Sequence, residues 1–151
     1  MPTIALSGND TISINNRIIN DLADGNCVEL TFPNDIAQVK TGKNGNTIYG
    51  FNTTGQQCEA KMRVIRGGAD DKYLNNLIIQ QNLNFQSTVL NFGQFIKKIG
   101  DGQGNVTNDT YVMGGGVFVK QVAAQSNVEG ETNQSVSEYM IRFSNAPRAI
   151  G

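Results

Sequence analysis

The chain has 151 residues, 38% of them hydrophobic and 17% charged, with a formal net charge of −1 and no histidine. That length is one domain, able to bury roughly two thirds of the surface its unfolded chain exposes. The dispersed Lys and Arg form no stripe that could neutralise phosphates, which excludes a dedicated nucleic-acid binder, and the missing histidine removes Ser-His and Cys-His nucleophile systems and most zinc sites.

Taken in chain order, residues 11–15 and 17–19 alternate as two short strands, with Asn15-Asn16 able to take the positive φ angles of a tight hairpin turn. Asp24-Gly25 is a second turn signal. Residues 27–32 form a strand that Pro33 ends, since proline cannot donate to a ladder, and 36–41 resume as a strand with Val39 inward. Residues 41–55 carry Gly42, Gly45, Gly50 and Gly55 among asparagines around Ile48, Tyr49 and Phe51, and read as a long loop. Loops longer than roughly 12 residues are commonly functional, and aromatic side chains in one need a cover.

From Gln56 to Ile65 the alternation is strict. Cys58, Ala60, Met62 and Val64 share one face and Gln57, Glu59, Lys61 and Arg63 the other. Gly67 and Gly68 end this strand, and the period then changes to that of a helix over 70–84. Asp70 and Asp71 put negative charge at its positive dipole end, and Tyr73, Leu74, Leu77, Ile78 and Gln81 form one stripe. Residues 88–99 read as strand, 100–108 as a polar turn, 111–124 as a strand bent near Gly114-Gly115-Gly116, 127–134 as a polar, acidic segment, and 135–144 as a closing strand. The expected fold is mainly β: a barrel or two packed antiparallel sheets with one flanking helix, in a single domain over 1–151.

The chemistry-bearing patterns are weak. Asp70-Asp71 and Glu129 with Glu131 sit at a helix start and in a polar segment, not across a cleft as paired catalytic carboxylates would. Asp101-Gly102-Gln103-Gly104-Asn105 begins like a calcium loop, but Val106 stands where the sharp turn needs glycine and Val112 where a bidentate glutamate belongs. The stretch reads as a Gly/Asn hairpin turn. Cys27 and Cys58, the only cysteines, lie in strand patterns and are expected to be reduced core residues. No enzyme activity, cofactor or metal is expected. No apolar run approaches 18 residues and no charged-then-apolar leader opens the chain, so neither a membrane span nor a secretory signal is expected. With few charges and 19 asparagines, the surface relies little on charge repulsion to stay monomeric.

Five segments in order carry a family likeness: Thr31-Phe32-Pro33-Asn34-Asp35, Lys40-Thr41-Gly42-Lys43-Asn44-Gly45-Asn46, the run from Val64 to Lys72, Gly100-Asp101-Gly102-Gln103-Gly104-Asn105, and Phe143-Ser144-Asn145-Ala146-Pro147-Arg148. Together they resemble a bacteriophage tail tube protein, closest to those of contractile tails, over nearly the whole chain. The resemblance implies a structural virion protein, assembled in the host cytoplasm. It implies hexameric rings stacked into a tube, with sheath, baseplate and tape-measure partners and passage of DNA without specific binding. It also implies that the 41–55 loop, through Lys43, Tyr49 and Phe51, reaches an adjacent subunit or ring. Glu59, Lys61 and Arg63 are candidates for lumen or subunit contacts. The tube of a tailocin or type VI secretion-like machine is the close alternative, and a solitary β-sandwich ligand-binding module, perhaps for carbohydrate, the alternative of another class.

Overall fold

The computed structural model describes residues 11–23, 27–125 and 135–151. The Asp24-Gly25 turn and the acidic segment with Glu129 and Glu131 lie outside them. Among the described residues eleven strands and one α-helix follow in order: β1 (Thr11–Ile14), β2 (Arg17–Ile18), β3 (Val28–Thr31), β4 (Ala37–Thr41), β5 (Thr47–Phe51), β6 (Cys58–Ile65), α1 (Ala69–Leu83), β7 (Asn91–Gly100), β8 (Val106–Phe118), β9 (Ala123–Gln125), β10 (Val136–Phe143) and β11 (Arg148–Ile150). Every pairing is antiparallel. The main path runs β2-β1-β7-β8-β10-β6-β3, with β11 on β8 and β9 on β10; among the described residues β4 and β5 pair only with each other.

The long strand β8 makes one core from two sheets. Its first part pairs with β7 and β11, and its last residues, Val117 and Phe118, pair with Arg142 and Ile141 of β10. The change of partner falls at the three glycines, where Gly115 takes φ +66° and a Cβ on Gly116 would stand 2.5 Å from the Phe143 ring. Only glycine lets the strand turn with a ring packed against its backbone. The two halves then face each other. Ile12 and Ile14 from β1 and Met113 and Phe118 from β8 meet Cys58, Ala60, Met62 and Val64 from β6 and Tyr139, Ile141 and Phe143 from β10, all in one buried cluster.

The predicted alternation of β6 holds residue for residue: its four inward side chains are fully buried. The helix occupies Ala69–Leu83, one residue off the expected range at each end, and lays Leu74 and Ile78 on the cluster with Tyr73 and Leu77 half-buried beside them. Gln81 is the polar member of the stripe. Its amide donates to the Phe118 carbonyl and accepts from the Phe118 N–H, both at 2.9 Å, serving the end of β8 as a neighbouring strand would. At the other end Asp71 accepts the Gly67 N–H at 2.9 Å, and the Tyr139 hydroxyl donates to Asp71. Burial and that neighbouring carboxylate push the Tyr139 phenol well above its ordinary range.

Asp70 is buried and ties α1 to the first hairpin. Its carboxylate accepts the N–H groups of Asn20 at 2.7 Å and Asp21 at 2.9 Å and Nε of Arg17 at 3.0 Å, and Arg17 also lies over the Tyr73 ring. Burial alone would raise this carboxyl, but the hydrogen bonds from Asp21, Asn20 and Arg17 outweigh it and hold it below its ordinary value.

Both tight-turn expectations are met. Asn15 and Asn16 take φ +53° and +66° between β1 and β2. In the β7–β8 turn the Asp101 carboxylate accepts from the N–H groups of Gln103 and Asn105 and from the Asn105 amide, so the oxygen-rich stretch is a self-satisfied hairpin turn. Cys27 and Cys58 are unlinked; Cys58 is fully buried but Cys27 only in part. They flank opposite ends of the β3–β6 ladder, about 16 Å apart by strand rise, too far to be bridged.

Four expectations need correction. Residues 41–55 are not one long loop: Thr47–Phe51 is a strand, paired back on Ala37–Thr41 around a turn at 42–46, and a short 3-10 turn, Thr53–Gln56, follows. Val39 does not point inward but is 60% exposed. The segment 88–99 becomes strand only at Asn91, because a 3-10 turn over Phe85–Ser87 comes first, with Ser87 and Thr88 hydroxyls bonded to the Asn84 carbonyl. Strand β8 starts at Val106, inside the expected polar turn, since its polar residues have ladder partners on β7 and on the unforeseen C-terminal strand β11.

Candidate assembly site

The β4–β5 hairpin stands apart from the core. Its register sets Val39 opposite Tyr49 and Ala37 opposite Phe51, and directly opposed residues share a face, so Val39, Tyr49 and Phe51 form an apolar ribbon. Ile48 lies on the other face. Tyr49 is 77% exposed and Phe51 and Ile48 71%. An isolated two-stranded hairpin in water is marginal, and this one also displays aromatic side chains for which no cover exists among the described residues. Lys43 occupies the turn, where Gly45 takes φ +83°. The hairpin root is firmer. Asn52 N–H bonds the Ile36 carbonyl at 2.9 Å, and Gly55 lies so close to Asp35 that a Cβ there would fall 2.4 Å from its carbonyl.

Beside that root, Phe32, Ile36, Tyr111, Ala146, Pro147 and Arg148 line an open groove of about 470 Å³. Tyr111 organises its floor, with Phe32 at 6.2 Å between ring centroids and the Arg148 guanidinium 5.9 Å above the ring. Arg148 is also held by Asp109 through two hydrogen bonds of 2.7 and 2.8 Å. Sequence reading did not single out this group, because β11 brings Arg148 to β8 only in the folded chain.

Glu59, Lys61 and Arg63 lie together on the outward face of β6, half-buried. Each meets a charge of the opposite sign from β10 in the neighbouring row. Lys61 Nζ is 2.9 Å from a Glu138 oxygen, Arg142 is paired with Glu59, and Arg63 stands directly across from Glu138. On the β3 side Glu29 faces Lys61, and the Glu138 carboxylate holds the Lys61 ammonium above its ordinary value. Three acids and three bases thus alternate over one sheet face. The hairpin triad and this charged triad sit on different elements; the structure does not bring them into one site.

A third surface had no counterpart in the sequence reading. The end of α1, the 3-10 turn and the start of β7 expose Ile79, Leu83, Phe85, Val89, Leu90 and Phe92. The signal was present: no charged residue occurs between Lys72 and Lys97. Among the described residues no cluster of three Asp, Glu or Cys could hold a metal ion, and no helix is long and apolar enough to cross a membrane.

Compared by sequence, the chain matches no family model and no curated protein. Compared by structure, it resembles a chain from the sheath–tube complex of PVC, an extracellular contractile injection system, in its extended state, at TM-score 0.62 and 9% identity over 96% of this chain and 91% of that one. It resembles the tube-terminating cap of the anti-feeding prophage at TM-score 0.65 and 7% identity, over 97% and 92%. A chain of the six-fold symmetrised anti-feeding prophage baseplate aligns at TM-score 0.52 and 11% identity, over 99% and 97%. At such identities the likeness is one of fold, and it extends over nearly the whole of each chain. The tail-tube-like architecture that the sequence segments imply, mainly β with one flanking helix, is the architecture observed.

Proposed function

We propose that this chain is a non-enzymatic structural subunit of the inner tube of a contractile particle. The observation that carries the reading is the fold match to parts of contractile injection systems, which extends over nearly the whole of each chain. In this reading six copies close a ring through their free sheet edges. The sheet path leaves β3 and the β1–β2 hairpin at its two ends, and unpaired edges favour pairing with another copy. Rings stack into a hollow tube, and the hairpin, through Lys43, Tyr49 and Phe51, covers its apolar ribbon on an adjacent subunit.

The face bearing Glu59, Lys61 and Arg63 then lines the lumen. Its charges neutralise one another in place, so passing phosphates meet no uncompensated basic row and cargo is not held. A sheath, a baseplate and a tape-measure protein are the expected partners, and the assembly belongs to a phage tail with DNA as cargo. Because the structural matches come from injection systems, the tube of a tailocin or secretion-like machine is the second reading, with the same subunit physics.

Electron microscopy of the purified protein at rising concentration should reveal rings and rods. Replacing residues 38–50 by a short Gly-Ser turn spares the root contacts and changes loop-closure entropy little, so the subunit should keep its stability to within about 1 kcal/mol while rods disappear. Normal rods from the shortened chain would remove the hairpin from the interface, and a wild-type chain that sediments at 16.3 kDa at every concentration would overturn the tube reading.

A further inference from the structure

Two unpartnered apolar surfaces on one chain point to what covers each. The first is the hairpin ribbon. The second is the ledge formed by Ile79, Leu83, Phe85, Val89, Leu90 and Phe92, of which Leu83 is 80% and Val89 86% exposed. A cleft of about 350 Å³ runs along it, floored by Leu77 and edged by Gln80 and Asn91. The ledge has the composition of an interface centre. Charge is absent from the segment between Lys72 and Lys97, and its large apolar side chains are interspersed with the exposed, uncharged Gln80, Asn82, Asn84 and Gln86. Charge depletion inside a polar rim distinguishes interface cores from ordinary surface, and a contiguous exposed apolar patch of this kind marks an interaction site.

We propose that the ledge is the docking surface for the β4–β5 hairpin of a second copy of this chain. The inference rests on the self-assembly reading above and names the two faces that meet. Both surfaces are open in the same molecule, so they do not satisfy each other within one subunit. The ledge segment carries no charge that would oppose the hairpin's. Lys40 and Lys43 are the hairpin's only charged residues, while the last turn of α1 has no basic residue to meet the partial negative charge of its carbonyl end. The sizes agree as well. Val39, Tyr49 and Phe51 offer on the order of 400 Å² of side-chain surface and the ledge a similar amount, a total below the roughly 1,200 Å² lower bound of stable specific interfaces. A single contact is therefore weak, and assembly depends on its repetition. Because the two faces differ, the contact is heterologous, and in the tube reading it propagates head to tail into a ring or a lattice.

The test uses the full chain carrying Tyr49→Cys and Leu83→Cys together, oxidised under assembling conditions and run on a denaturing, non-reducing gel, with the wild-type chain as control for Cys27 and Cys58. The expected result is a ladder of covalent species at multiples of 16.3 kDa, collapsed by reductant, with no product larger than a dimer from either single variant. Leu83→Asp, at an exposed position, should melt within a few degrees of wild type yet need at least tenfold more protein to assemble. Assembled double variant without a ladder, or Leu83→Asp assembling at the wild-type concentration, would overturn the docking and leave the tube reading standing. A wild-type chain that never assembles would overturn both.

Discussion

Removing the Asp70 carboxylate should loosen the joint between α1 and the first hairpin, by an amount that depends on which of its bonds the replacement keeps. Asp70 is 2% exposed and one oxygen, Oδ2, accepts both the Asn20 and Asp21 N–H groups, while Oδ1 meets Arg17. In Asp70→Ala both backbone donors lose their acceptor in a partly buried site, at a cost of about 3 kcal/mol in total. For a domain of this length that corresponds to a fall of roughly 6–12 °C in Tm. In Asp70→Asn the amide oxygen can take the place of Oδ2 and keep both N–H bonds, so only the interaction with the partly exposed Arg17 is lost, about 1 kcal/mol. The carboxyl is held below its unfolded value, so its contribution is complete above about pH 4 and is lost as pH falls through the folded-state value. Thermal unfolding of dispersed wild type, Asp70→Asn and Asp70→Ala at neutral pH should rank in that order, and the first two should converge in strong acid. An Asp70→Ala chain melting within 2 °C of wild type would refute the joint. Equal losses from Ala and Asn would show that the ion pair, not the two N–H bonds, does the holding.

Gly116→Ala should cost more than about 2 kcal/mol, because the added methyl would stand 2.5 Å from the Phe143 ring and 3.1 Å from the Asn91 carbonyl; a denaturation midpoint matching wild type would mean the β8 bend is looser than described. Cys58, with its thiol pushed up to about 11 chiefly by burial, should stay unlabelled by a thiol reagent at pH 8 until the chain is unfolded; rapid labelling of both cysteines in native protein would contradict its burial.

Features governed by near neighbours are legible in the chain alone. The alternation in β6 follows from a two-residue period against a single core, the stripe of α1 from a 3.6-residue period, and the Asn15-Asn16 and 101–105 turns from side chains that bond their own backbone or tolerate positive φ. The order of segments from Thr31 to Arg148 also carried the tail-tube likeness that the fold bears out. Tertiary structure decided the rest, and in each case the missing information was the partner. The run Thr47–Phe51 resembles a loop by Gly50 and the glycines that flank it, and a strand only once Ala37–Thr41 lies beside it; Val39 reads as inward because apolar residues normally face a core, whereas here the hairpin has none of its own. Asp70 and Asp71 are dipole-stabilising acids by sequence, yet their larger roles come from residues about 50 and 68 positions away that only folding brings near. Glu59, Lys61 and Arg63 were visible as a mixed-charge row, but their neutralisation depends on Glu138 and Arg142, whose register was fixed when β10 paired with β6. Residues whose meaning lies in such long-range pairing carry no local period, and so no signal to read before the chain is folded.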